Sequence, residues 1–275
     1  GINGLRVDAG VYPERLRAAI DAGWHTGKEL PGSAGLGHVG AMKLISDGSL
    51  NTRSAYCSTP YSGIEPLTYG TLSYTPQQIE DYMRLATEHG FDIACHAIGD
   101  EANTIALNAV AATHAHGSIE HAQMLKPVDI PRFAELGLTA SIQPQHAMDD
   151  RDVITRFWAN PAGIPYPFRA LHDAGTTLRM GSDAPVAPLD PWLAISAAVL
   201  GTESSDREPF QPEQCLDVHT SLAASTATGR DRLASGDPAD VVLLDADPYA
   251  ADTPEAMRAM PQHVVMTLLC GERTY

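Results

Sequence analysis

The sequence has few positive charges and no long apolar run. Its 18 Lys and Arg residues stand against 34 Asp and Glu residues, which gives a formal net charge of −16. A field of that sign repels phosphate backbones and anionic bilayers, so the composition argues against nucleic-acid and membrane-surface partners. No stretch approaches 18 uninterrupted apolar residues, which argues against a membrane-embedded chain. We expect a soluble protein.

The four cysteines show no CxxC spacing in a chain of 275 residues. A chain of this length needs no disulfide staples, so we expect a reducing, cytoplasmic compartment. The GxSxG nucleophile elbow of serine hydrolases and the P-loop are also missing. Gly35, Gly37 and Gly40 spell GxGxxG, but a strand is predicted directly after them. We therefore interpret them as a loop and not as a dinucleotide site.

Short apolar runs alternate with longer amphipathic segments, a pattern typical of βα units around a parallel sheet. Six strands are predicted, at residues 5–7, 41–45, 93–96, 118–121, 139–143 and 177–182. Helices are predicted at residues 76–89, 101–115 (with Asp100 as N-cap), 129–136, 167–174 and 191–200. A helix-like stretch at 212–227 is followed by β-rich runs at 241–245 and 264–269. We predict a boundary near Gly229, between a barrel domain at 1–228 and a smaller β domain at 229–275.

Four predicted strands end in or near residues with metal-ligand chemistry: Lys43, His96, His121 and Asp183. Parallel α/β barrels gather their active sites at the carboxyl ends of their strands, so we expect these side chains to converge on one point. Each histidine alone is more typical of a hydrogen-bonded structural residue, and Asp183 alone could cap a helix. Lys43 is harder to explain in that way, because a buried ammonium is unfavourable unless it is paired, deprotonated or modified.

Six segments resemble, in order and spacing, the amidohydrolase superfamily and its branch of YtcJ-like and N-substituted formamide deformylase-like metal-dependent hydrolases. They are KLISDGSL (43–50), HAIGD (96–100), IEHAQ (119–123), SIQP (141–144), GSDAPV (181–186) and ADVVLLD (239–245). The resemblance implies an α/β fold, an incomplete (β/α)8 TIM-type barrel with about six of its eight strands. It also implies that the tail is part of a C-terminal β-sandwich.

The resemblance assigns roles to the four strand-end residues. In the family pattern, His96 and His121 bind one divalent metal, and a lysine at the place of Lys43 reacts with carbon dioxide to form a bridging carbamate. Asp183 binds the other metal, takes a proton from the attacking water and returns it to the leaving nitrogen. One or two ions are expected, with zinc as the expected metal.

The reaction implied is hydrolysis of a non-peptide carbon–nitrogen bond, in an amide or formamide, by metal-bound hydroxide. The expected substrate is a small amide-like molecule. Polar residues that follow strand ends are the candidates for substrate contacts. They are Arg53, Gln143, His146 and Asp149.

One part of the family pattern is missing, a His-x-His at the end of a first barrel strand. His114 and His116 match its letters, but they follow a predicted helix at the opposite rim, and we do not expect them to bind metal. An open six-stranded sheet has unpaired edges, so we expect that an N-terminal segment is missing or that copies of the chain associate. The alternative function is a catalytically incomplete fragment or assembly module of such an enzyme.

Overall fold

The computed structural model describes residues 4–275, so the first three residues of the predicted barrel domain lie outside the described residues. The strands are β1 (Val7–Val11), β2 (Gly37–Ile45), β3 (Ile93–Ala97), β4 (Gly117–His121), β5 (Met124–Leu125), β6 (Thr139–Ile142), β7 (Ile164–Pro165), β8 (Thr177–Met180), β9 (Val241–Leu244), β10 (Val264–Leu269) and β11 (Glu272–Arg273). The helices are α1 (Pro13–Asp21), α2 (Pro76–Glu88), α3 (Asp100–Thr113), α4 (Ile130–Glu135), α5 (Pro144–Phe157), α6 (Phe168–Asp173), α7 (Pro191–Leu200), α8 (Val218–Ala224) and α9 (Pro254–Ala259).

Six strands form one sheet in the order β1-β2-β3-β4-β6-β8. The pairs β1–β2, β2–β3, β3–β4 and β4–β6 are parallel. The predicted α/β class with a six-stranded parallel sheet is therefore confirmed. A separate antiparallel sheet in the order β11-β10-β9 follows near the C-terminus, as the β-rich tail predicts.

The predicted loop around the GxGxxG letters is wrong for its second half. Strand β2 begins at Gly37 and runs through Gly40. A Cβ atom on Gly40 would come within 3.1 Å of the backbone of Ala9 and Gly10, so the glycine allows β1 and β2 to pair closely. A glycine inside a strand often marks such an approach of two backbones. Because strand β2 continues past Gly40, no helix opens after these glycines as a dinucleotide site would require.

Three helices were missed by the sequence prediction: α1, α5 and α9. Helix α5 begins at Pro144, a favourable first helical residue, where the sequence predicted only a polar loop after a strand. Asp100 was predicted as an N-cap, but Gly99 is the N-cap of α3 and Asp100 is its first residue. The predicted helix at 212–227 is shorter, because only α8 and a short 3-10 turn at Pro212–Gln214 form there.

By its contacts the chain divides into two units. The first comprises residues up to Ser141 together with Asp152–Thr177, and the second comprises Ile142–Arg151 with Leu178–Tyr275. This division does not test the boundary near Gly229, which stays a prediction. Among residues 4–275, no helix is both long and apolar enough to span a membrane.

In the first unit, successive side chains near the end of β2 and along β3 alternate between buried and partly exposed positions. Met42 and Leu44 in β2 are fully buried, as are Ile93 and Cys95 in β3. The residues between them are less buried, and the register pairs Lys43 with Ala94 and Ile45 with His96. Because side chains alternate along a strand, Lys43 and His96 share the second face of this sheet. One face is thus apolar core, and the other carries polar side chains.

The second unit has a core between two helices. Trp192 and Ile195 of α7 pack with Met257 and Met260, in and directly after α9. Leu244, at the end of β9, also packs against this cluster. The centre of β9 is more exposed, so the antiparallel sheet contributes less to the core than the helices do.

Candidate metal centre

Two neighbouring strands bring the predicted histidines together. His96 lies in β3 and His121 is the last residue of β4, and their ring centroids are 4.4 Å apart with the planes at 71°. The His96 side chain is 14% exposed, and His121 is buried. Two adjacent, shielded imidazoles are suitable nitrogen donors for a divalent cation such as Zn²⁺. Within the first unit, the structure thus brings the rings of His96 and His121 together, and their role as metal ligands stays a prediction.

The backbone at His121 explains how its ring reaches His96. The register pairs His96 with Glu120 and Ala97 with His121, so regular alternation would place His121 on the opposite face from His96. His121 instead has φ of +70°, outside the extended range. A left-handed backbone is uncommon for a residue other than glycine, and such strain is often found where a functional side chain must be aimed.

Lys43 shares the sheet face of His96 and is half-buried. The free-energy cost of burying the Lys43 ammonium is therefore smaller than the sequence suggested, because part of the side chain reaches solvent. Its role as a metal ligand stays a prediction.

The sequence analysis did not single out Asp47, which contacts His96. Asp47 is 1% exposed, and its Oδ1 lies 3.4 Å from Nε2 of His96. The carbonyl oxygen of Gly48 lies 3.3 Å from the same nitrogen. Asp47 belongs to the segment KLISDGSL, so its presence near the site could have been suspected. Its burial and its contact depend on tertiary structure.

The neighbouring thiol does not offer a competing ligand. Burial raises the pKa of Cys95 to about 12, with a further contribution from the negative charge of Asp47 and an opposing one from Lys43. The register pairs Cys95 with Leu44 on the apolar face of the sheet, so its side chain points away from the face that carries His96.

In the second unit, Asp183 lies beside a histidine. Asp183 follows β8 in an exposed segment, and His146 is a buried residue of α5. A ring nitrogen of His146 and a carboxylate oxygen of Asp183 lie within 4.8 Å of one another. The sequence predicted His146 as a substrate contact in a loop. Its place on a helix next to a carboxylate also makes it a candidate metal ligand.

The other candidate substrate contacts lie in different settings. Gln143 is buried directly before α5, and Asp149 lies on α5, where burial and the charge of Glu203 raise its pKa. Arg53 is exposed in the loop after β2, and its guanidinium carbon lies 5.5 Å from the ring centroid of Phe157. Their contact with a substrate stays a prediction.

A parallel α/β sheet with two imidazoles at neighbouring strand ends has the layout of α/β proteins whose functional sites lie at the carboxyl ends of the strands. The comparisons identify the family. The model of the amidohydrolase family matches residues 7–275. The protein YtcJ of Bacillus subtilis (strain 168), which carries the name of an amidohydrolase, is 31% identical over 229 residues. This chain belongs to the amidohydrolase family, as the sequence motifs indicated.

Two further matches agree with this assignment. N-substituted formamide deformylase of Arthrobacter pascens is 25% identical over 240 residues, which cover 78% of this chain and 42% of that protein. A metal-dependent hydrolase from Pyrococcus horikoshii OT3 superposes with a TM-score of 0.72 at 29% identity, over 82% of this chain and 45% of that one. The match to YtcJ covers 78% of this chain and 43% of that protein. The chain thus spans less than half the length of these relatives.

Proposed function

We propose that the protein is a metal-dependent hydrolase that cleaves a non-peptide carbon–nitrogen bond of an amide or formamide. The observation that carries the proposal is the contact of His96 with His121, two imidazoles aimed at each other from neighbouring strand ends. The name of one relative, N-substituted formamide deformylase, supports this bond type. The alternative is a catalytically incomplete module of such an enzyme.

The chemistry of the donors fits a divalent cation, with zinc as the expected ion. His96 and His121 would supply neutral nitrogen donors, and Asp183 would supply an oxygen donor. Lys43 would join them as a carbamate, formed when Nζ adds to the carbon of carbon dioxide and loses a proton. That modification replaces an ammonium, which cannot bind a cation, with an anionic oxygen donor. When bound, the metal polarises the substrate carbonyl and lowers the pKa of water.

The chain's own side chains would handle the proton and the substrate. A carboxylate oxygen of Asp183 would accept the proton of the attacking water and then give it to the leaving nitrogen, which is general base followed by general acid catalysis. Substrate contacts are proposed for Arg53, Gln143, His146 and Asp149. The acyl group and the amine are left open.

Metal analysis of purified protein tests the proposal. After loading with Zn²⁺ and dialysis, we expect at least about one ion per chain by mass spectrometry, and its loss in His121→Ala because a ligand is removed. His116→Ala is the matched control, since this exposed histidine belongs to the rejected His-x-His letters. If the wild-type chain binds no metal under replete conditions, the assembly module becomes the better explanation. Metal retained in His121→Ala would contradict the proposed ligand set.

Activity needs its own measurement. The zinc-loaded chain is incubated with a panel of N-substituted formamides and simple amides, and release of the free amine is followed. We expect turnover of at least one member and its loss in Asp183→Asn, because the amide side chain cannot accept the proton. Turnover that persists unchanged in this variant would refute the role given to Asp183.

A further inference from the structure

We propose that Asp47 is a positioning residue that fixes the imidazole of His96 with Nδ1 directed to the metal. The inference rests on the proposed function, because His96 must be a ligand for its orientation to matter. It is carried by the contacts of the segment Ser46–Gly48 with both the backbone and the ring of His96.

Asp47 is a buried carboxylate whose oxygens are engaged from several segments. Its Oδ1 accepts a hydrogen bond from the backbone N–H of Ile98 at 3.0 Å, and its Oδ2 accepts from those of Tyr56 and Gly99, each at 2.9 Å. These bonds offset the cost of taking the charge out of water. They join the loop after β2 to the residues that connect β3 with α3. The carboxylate is therefore held in one place.

If Asp47 only held the loop after β2 in place, the three hydrogen bonds that it accepts from backbone N–H groups would be enough. The contact with His96 goes beyond them, because Oδ1 also lies 3.4 Å from Nε2 of the ring. The carbonyl oxygen of Gly48 lies 3.3 Å from the same nitrogen. A carbonyl oxygen and an ionised carboxylate can only accept hydrogen bonds, so their convergence favours a proton on Nε2. In a neutral imidazole, Nδ1 then carries the lone pair that can bind a metal.

The backbone of His96 is fixed by the same segment. Its carbonyl oxygen accepts hydrogen bonds from the backbone N–H of Ser46 at 3.1 Å and from the Ser46 hydroxyl at 2.5 Å. Gly48 is packed so closely that an added Cβ would lie 1.9 Å from Oγ of Ser54. Ser46, Asp47 and Gly48 thus hold one histidine at its main chain and at its ring. This arrangement is expected of a group that orients a ligand.

The test compares Asp47→Asn with Asp92→Asn, which changes an exposed aspartate directly before β3 and serves as the control. An asparagine presents an N–H₂ group or a neutral oxygen where the carboxylate stood, so it weakens the hold on the ring. We expect Asp47→Asn to lower the Zn²⁺ affinity about 10- to 100-fold, the range found for groups that orient metal ligands. Asp92→Asn should keep the wild-type affinity, and circular dichroism checks that both variants are folded.

A second readout does not involve the metal. In the metal-free wild-type protein, ¹⁵N NMR of the histidine rings should show His96 as a single tautomer with the proton on Nε2, with the signals assigned through His96→Gln. In Asp47→Asn we expect a mixture of tautomers. A wild-type ring that carries its proton on Nδ1 would overturn the inference, and this holds even if Asp47→Asn does not fold.

The two proposals fail in different ways. If the wild-type chain binds no zinc, the proposed function fails, whatever the tautomer of His96. If the wild-type chain binds zinc and Asp47→Asn binds it equally well with an unchanged tautomer, the role of Asp47 is refuted while the proposed function stands.

Discussion

The two units differ in how deeply they bury the apolar side chains of their strands. In the first unit, Leu44 of β2 and Ile93 of β3 are fully buried. In the second, Val242 and Leu243 of β9 are 57% and 48% exposed, although both are apolar neighbours in one strand. Side chains of consecutive strand residues point to opposite faces, so part of β9 is exposed on both faces. The central strands β2 and β3 of the parallel sheet belong to the core, whereas β9 of the antiparallel sheet lies at the surface.

The candidate metal ligands of the two units also differ in burial and in how firmly the fold holds them. His96 and His121 lie at the ends of sheet strands, with Asp47 and its hydrogen bonds behind His96. Asp183 lies in an exposed segment that follows a strand. Residues held by strands and buried hydrogen bonds are positioned before a ligand arrives, whereas loop residues lose conformational entropy when they bind. The histidine pair is thus the better-organised part of the proposed ligand set.

Thiol labelling should show the largest contrast between the units. Cys57 and Cys95 of the first unit are buried, and burial raises the pKa of each to about 12, whereas Cys270 of the second unit is exposed. At pH 8 we expect Cys270 to react with a disulfide reagent at least about a thousandfold faster than Cys57 or Cys95, which need an opening of the fold. Mass spectrometry of timed samples measures this ratio.

Cys270→Ser is the control for that experiment, because it should remove the fast phase. Labelling of Cys57 at a rate similar to that of Cys270 would show that the first unit opens easily. The contrast in burial would then have no counterpart in stability.

A leucine in each sheet tests whether the difference in burial has a counterpart in stability. Leu44→Ala removes a fully buried side chain from β2, and we expect a loss of about 2 to 5 kcal/mol in the free energy of unfolding. Leu243→Ala removes a half-exposed side chain from β9, and we expect about 1 kcal/mol or less. Urea denaturation followed by circular dichroism measures both. Equal losses would mean that β9 is covered in solution.

The next largest effect is expected on the Zn²⁺ affinity when Lys43, the residue proposed to carry the carbamate, is replaced. Loss of a group that only orients a ligand already costs about 10- to 100-fold in metal affinity. Since a carbamate would itself be an oxygen donor, Lys43→Ala should weaken Zn²⁺ binding by at least that factor. With ¹³C-labelled bicarbonate, NMR should show a carbamate carbon in the wild-type chain and none in this variant. Lys28→Ala, at an exposed lysine, should leave both readouts unchanged. A wild-type chain that binds zinc but shows no carbamate signal would argue that Lys43 acts unmodified or not at all.

A pH effect confined to the second unit should be the smallest. The pKa of Asp231 is lowered by its hydrogen bonds with His219, at 2.6 Å, and with Tyr249. A carboxyl whose folded pKa is depressed stabilises the protein above its unfolded pKa, near 3.8, and loses that contribution as the pH falls through the folded value. The melting temperature of Asp231→Asn should therefore lie slightly below that of the wild type at pH 6.

On acidification below pH 3.8, the two melting temperatures should converge. Thermal scans between pH 6 and pH 2 test this. A difference that stays constant over the whole range would show that the charge of Asp231 is not its source.

The sequence predicted much of the first unit, because amphipathic periodicity and strand-ending histidines are local signals. Strand β3 and the histidine of β4 were found within a residue of their observed positions. Helix α5 was missed, because Gln143 and Pro144 at the end of a strand were interpreted as a loop. The sequence therefore predicts a loop position for His146, whereas the structure has it in α5. A proline suits the first turn of a helix as well as a loop, so the local signal was ambiguous.

The burial of Asp47 and its contact with His96 could not be predicted from the sequence. Its segment carries a family motif, but the backbone N–H groups that bind its buried carboxylate belong to Tyr56, Ile98 and Gly99, and the last two lie about 50 residues along the chain. Whether an aspartate after a strand caps, ligates or orients another residue depends on which distant groups surround it. No local pattern carries that information.

Local sequence patterns were enough to predict the six strands of the parallel sheet, most of the helices and the family, because periodicity and residue chemistry are written along the chain. The turn of the His121 ring towards His96 and the contact of the Asp47 carboxylate with the His96 ring depend instead on the folded chain. The first depends on a left-handed backbone at the end of a strand, and the second on burial of a charge by backbone groups from separate segments. Both arise when strands pair and loops close over them.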